Sequence, residues 1–168
     1  MKRILFPFLA LLIVLSSCTR SNKKAFNFNQ QLVGVSEKLQ EKGTGIGREL
    51  KEAVNTKDFS AFADSSQALL DYIDKCLADY KNMKDVSGSE NLRAAMIDFL
   101  NFEKDVVSQT YIPLGKMNST TSEEELQATI NTMLEKSREE GSYLVKVQDA
   151  QREYASKNGF KMEAPPQN

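Results

Sequence analysis

The stretch DFSAFADSSQALLDYIDKCLADYKNM, Asp58 to Met83, decides the fold. Its apolar and small residues Phe59, Phe62, Ser66, Leu69, Ile73, Cys76, Tyr80 and Met83 follow one another in steps that alternate three and four. A helix turns once in about 3.6 residues, so these positions share one face. A half-buried strand would need alternation with a period of two, and no segment of the chain sustains it. The stretch therefore predicts a helix with one apolar stripe, and such a helix needs neighbours to cover that stripe.

Three further stripes supply the neighbours. Before it, Phe28, Leu32, Val35, Leu39, Gly43, Ile46, Leu50 and Ala53 form a heptad seam. After it come Leu92, Met96, Phe99, Phe102 and Val106, running on toward Leu114. Last come Leu126, Ile130, Met133, Ser137, Gly141, Leu144, Val147 and Tyr154. Long helices with short links favour antiparallel packing, so the expected architecture is all-α, an up-down-up-down four-helix bundle over residues 26–160. Residues 161–168, with two prolines, read as a flexible tail.

Boundary residues agree with this division. Asp58 is an expected N-cap for the second helix. Asp85 to Ser89 is a turn cluster, and Ser87 with Glu90 has capping-box spacing before the third helix. Pro113 is expected to end or kink that helix, because it lacks an N–H and crowds the preceding turn. Asn118 to Thr121 reads as a loop, followed by a second capping box at Ser122 and Glu125. Gly159 suits a left-handed C-cap, with Phe160 folding back.

EKGTGIGREL, Glu41 to Leu50, interrupts the first seam with three glycines. Each costs about 1 kcal/mol relative to alanine inside a helix. Small residues recur at the middle of the last stripe, Ser137 and Gly141, while the third carries bulky Phe99 and Phe102. Three readings follow. The glycines admit the two rings as packing partners, they kink the helix, or Gly43, Gly47, Phe99, Phe102, Ser137 and Gly141 surround a pocket for an apolar ligand. GTGIG has no following lysine and no preceding strand, which argues against a phosphate loop.

Composition narrows the chemistry. The 168 residues include 22 basic and 23 acidic side chains, no histidine and no tryptophan. That balance is no footprint for nucleic acid. Without histidine the usual triads and the Glu-x-x-His di-iron arrangement are excluded, and no metal site is expected. Glu103 borders the third stripe, where a carboxylate more often keeps its head in water than does acid–base work. Cys76 falls on the second stripe and reads as a small buried hydrophobe. The five tyrosines read as half-buried rims. Glu135, Lys136, Arg138 and Glu139 read as a solvated face. No catalytic constellation emerges, and the expectation is that the protein is not an enzyme.

The front of the chain carries the most specific signal. Met1-Lys2-Arg3 is positive, and Ile4 to Leu15 is an unbroken apolar run. Such a run is too short to span a bilayer, which takes about 20 apolar residues. It fits the apolar segment of an export signal. Leu15-Ser16-Ser17-Cys18 then resembles the lipobox of bacterial lipoproteins. An uncleaved anchor, or an ordinary signal with a chance cysteine, fits less well with the short run, the small pair and the polar residues that follow.

The resemblance implies residues 1–17 as a signal peptide and residues 18–25 as a lipidated cysteine and tether. Cys18 would carry a thioether-linked diacylglyceryl group and, after cleavage, an N-acyl chain. No other cofactor is implied. Paired chains anchor stably, at about 0.8 kcal/mol per buried methylene. Thr19 in place of aspartate leans toward the outer membrane in a Gram-negative source. With Cys18 modified, Cys76 is left alone and no internal disulfide is available.

The chain as a whole resembles small all-helical bacterial surface lipoproteins. The expected function is a membrane-anchored, non-enzymatic binding or structural module of the cell envelope. Its partners would be the membrane, through the lipid, and an envelope protein. The alternative is a carrier of a hydrophobic small ligand within the bundle.

Overall fold

In a computed structural model, which describes residues 22–162, the deciding stretch is a helix, α2 (Ser60–Asn82). Phe62, Ser66, Leu69, Ile73, Cys76 and Tyr80 are all buried along it, as the three-four spacing requires. Fully burying a side chain such as Phe62 or Ile73 contributes about 1.5–3 kcal/mol relative to exposure. The other elements are α1 (Lys23–Thr56), α3 (Glu90–Val106), a π-helical segment (Val107–Tyr111), α4 (Ile112–Gly115) and α5 (Glu123–Lys157). The stretch from α3 through α4 is unbroken, so the described residues form four rods. Among the described residues no helix is long and apolar enough to cross a membrane.

The rods alternate in direction. The start of α1, the α2–α3 turn and the end of α5 meet at one end of the bundle. There Asn22 N–H donates to Asn158 O at 3.2 Å, its side-chain amide donates to Ser87 Oγ at 2.7 Å, and Tyr154 O–H donates to Val86 O at 2.7 Å. α2 packs between α1 and α3, and α3 packs on α5, whereas α1 and α5 make the sparsest contact of any two neighbouring rods. That loose seam positions the candidate site.

Several boundaries differ from expectation for local reasons. α1 begins at Lys23, inside the expected tether, because Asn22 caps it by accepting from the N–H groups of Lys24 and Ala25. Asp58 sits one residue before the formal cap of α2, yet its Oδ1 accepts from Ser60 N–H at 3.0 Å. Ser87 and Glu90 do not form a capping box. Ser87 is left-handed (φ 56°), and Asp85 instead gathers the N–H groups of Gly88 and Ser89.

Pro113 does not stop its rod. The backbone widens to π just before it, with Ile112 N–H reaching Val107 O, and the helix runs on to Gly115. A π-turn relieves the i to i−4 ladder where a proline cannot donate. At the other end of the last rod Ser122 Oγ accepts from Glu125 N–H, which is half of the predicted box. Gly159 takes φ 71°, and Phe160 N–H returns to Ala155 O at 3.1 Å, closing α5 as expected. The Phe160 ring then stands edge-on to Phe26 and Tyr154.

Candidate functional site

The glycines of α1 leave the helix unbroken from Lys23 to Thr56. Gly43 and Gly45 are not packing slots for the two rings either. A Cβ built on Gly43 or Gly45 would meet no atom within 4 Å. Phe102 turns instead toward α5 and stacks on Tyr143, with ring centroids 4.4 Å apart and planes 20° from parallel. The volume beside Gly43 therefore stays open, on the sparsely packed side of the bundle where α1 neighbours α5.

The result is a cleft of about 90 Å³. Leu69 of α2, Phe99, Phe102 and Val106 of α3, and Met133 of α5 give it apolar walls. α1 contributes Gly43 with the polar Gln40 and Thr44, and α5 contributes Ser137. Gly47, half-buried on α1, and Gly141, exposed on α5, do not line it. Of the six residues expected around a pocket, the fold thus gathers Gly43, Phe99, Phe102 and Ser137.

Two carboxyl groups share this space, Glu103 from α3 and Glu140 from α5. Glu103 Oε1 is shut from solvent and has no hydrogen-bond partner. Burial pushes the Glu103 carboxyl up to about 8, and the nearby Glu140 charge adds to the effect. Burial also pushes Glu140 up to about 7. Tyr111, from the π segment, lines the same cleft, and its hydroxyl is pushed up by burial and then by the two glutamates. Lys136 stands half-buried at the wall. Among the described residues no ion pair involves Lys136, Glu103 or Glu140.

Two like charges in a poorly solvated space disfavour each other's ionisation, so the pair keeps a proton toward neutral pH. The arrangement can accept a cationic group, donate a hydrogen bond from a protonated carboxyl, or move a proton. Among the described residues no group of three histidine, cysteine or carboxylate side chains is placed to hold a metal ion.

Glu140 and Lys136 are what a reading of the charged helix face misses. Both sit in a run of charges that looks uniformly solvated. The usable signal is position: Glu140 follows Ser137 by three residues and Met133 by seven, which keeps it on the buried stripe's flank. Glu103 lies half-buried beside Phe102 at the stripe edge, and here the edge lines the cleft, with one carboxylate oxygen shut from solvent. Cys76 is buried and free, and burial pushes its thiol up, as suits a packing role. Cys18, the expected lipidation site, lies outside the described residues. No family model, curated protein or solved structure matches this chain.

Proposed function

We propose that the protein is a lipid-anchored, non-enzymatic binding module of the bacterial cell envelope. The observation that carries this is the order of the first residues: a positive start, the apolar run Ile4 to Leu15, and Leu15-Ser16-Ser17-Cys18. A thiol is the most nucleophilic side chain near neutral pH, and small neighbours let a processing enzyme close on the chain. α1 starts five residues after Cys18, so a lipid there would hold the end of the bundle where α1 begins close to the bilayer. Thr19 favours the outer membrane where the source is Gram-negative.

A second reading is favoured by the open space at Gly43. In it the bundle carries a small ligand whose apolar part lies against Phe99 and Phe102. The enclosed volume suits a short body rather than a long acyl chain.

The anchor is tested by labelling cells that express the full chain with radioactive palmitate, and by intact mass of the mature amino terminus. The wild type should incorporate label and start at a modified Cys18, and Cys18→Ala should do neither. A free sulfhydryl at Cys18, with the native protein wholly in the aqueous phase after detergent partitioning, would remove the proposal.

A further inference from the structure

We infer that the cleft between α1 and α5 is a binding site for a small organic ammonium ion with a short apolar body, its charge held between Glu103 and Glu140. The inference rests on the second reading above, that the cleft holds a ligand, and names that ligand's chemistry.

The geometry supplies both halves of such a ligand. Leu69, Phe99, Phe102 and Met133 present apolar surface. Glu103 presents an oxygen that is sealed from solvent and accepts no hydrogen bond. A buried acceptor left unpartnered is costly, and a carboxylate costs more than a neutral group. An ammonium group donates up to three hydrogen bonds and cancels the repulsion between the two carboxylates, so one guest would remove both penalties.

Size restricts the body. A water molecule's share of volume is about 30 Å³, so the cleft's roughly 90 Å³ is that of about three waters. An ammonium with a chain of about four carbons is of the right order, with one end near the opening. Position favours a soluble amine over a membrane headgroup. Leu39 to Thr44 lie some 16 to 21 residues along α1, or roughly 25–30 Å from its start at 1.5 Å per residue.

The surrounding charges are few. α1 offers Gln40 and Thr44, which do not titrate, and α2 offers Leu69. α3 brings Glu103, the π segment Tyr111, and α5 both Glu140 and Lys136. The raised Glu103 and Glu140 carboxyls must lose a proton to pair with an ammonium, so binding should strengthen from pH 6 to pH 8.5. Lys136 is the resident cation and makes no ion pair with either carboxylate among the described residues.

The test is calorimetric titration of the full chain in detergent at pH 8.5 with n-butylammonium, n-butanol and n-butyrate. Butylammonium should bind and butyrate should not. Glu103→Gln should weaken butylammonium roughly tenfold or more, as loss of a charged hydrogen bond does. Gly43→Leu, placed where an added Cβ meets no atom, should fold and abolish binding. Butanol binding as tightly as butylammonium, or a Glu103→Gln protein that binds butylammonium unchanged, overturns the ammonium assignment while keeping a ligand cleft. Failure of all three probes, or binding unaffected by Gly43→Leu, overturns the cleft as well. Neither result bears on lipidation of Cys18, which palmitate labelling reads separately.

Discussion

The side-chain amide of Gln151 on α5 donates to Asn29 Oδ1 on α1 at 2.8 Å, with both residues buried. It ties the two neighbouring rods that make the sparsest contact. Phe28 and Tyr154, their neighbours along the same two rods, meet edge to face at 5.7 Å. The amide pair is only half satisfied, since Asn29 Nδ2 and Gln151 Oε1 are buried without partners. A polar pair of this kind fixes one alignment of two helices more than it adds stability.

Breaking the pair from one side should therefore cost more than replacing it whole. Asn29→Leu or Gln151→Leu alone leaves the other amide buried and unpaired, a loss of about 1–3 kcal/mol. The double leucine variant should come back to within about 1 kcal/mol of the wild type, or exceed it. Urea denaturation of the four proteins gives the coupling energy directly. Losses that simply add would show that the two amides do not act as a pair.

Glycines in this chain should respond oppositely to alanine. At Gly45 an added Cβ meets nothing within 4 Å, and alanine should stabilise α1 by up to about 1 kcal/mol. At Gly115 the same atom would lie 2.9 Å from both Cα and Cβ of Ala63, where α4 crosses α2. That contact involves backbone and cannot relax by a rotamer change. Gly115→Ala should cost about 1–3 kcal/mol, as overpacking of a tight contact does. Thermal melting of both variants checks the contrast, and a Gly115→Ala protein as stable as the wild type would refute the close approach.

What the sequence makes legible here is whatever periodicity can carry. The stripe of α2 reads off residue by residue, because every buried position from Phe62 to Tyr80 on it is apolar or small. Asn29 and Gln151 escape for the converse reason. Gln151 lies four residues past Val147 and three before Tyr154, on the stripe by spacing, but a polar side chain there looks like a gap. The cleft was half legible. Small residues at Gly43 and Ser137 mark missing volume, yet only the course of the Phe102 ring toward Tyr143 decides that the volume stays open. Gly115 gives no sign at all, since its constraint is a contact with Ala63, 52 positions away in the chain.

The buried carboxyls should make the protein less stable as pH rises through neutrality. Glu103 goes from an ordinary value of 4.5 to about 8 in the folded state, and Glu140 from 4.5 to about 7. Folded protein thus binds more protons than unfolded protein between those limits, and stability falls with pH across that interval. The contribution is fully present below about 4.5 and is lost as pH passes through about 7 and then about 8. Groups of opposite sign act elsewhere. Asp58, held low by the Ser60 N–H and hydroxyl, and Asp85, held low first by the Gly88 N–H, lose their contribution only on acidification. Each pK unit is about 1.4 kcal/mol, so moving from pH 5 to pH 8 should cost the wild type on the order of 2 kcal/mol or more. Glu103→Gln, neutral at every pH, should flatten most of that slope and melt above the wild type at pH 8. Parallel melting profiles for the two proteins from pH 5 to pH 8 would mean that Glu103 reaches water, and that its carboxyl is not the sealed, unpartnered acceptor the cleft displays.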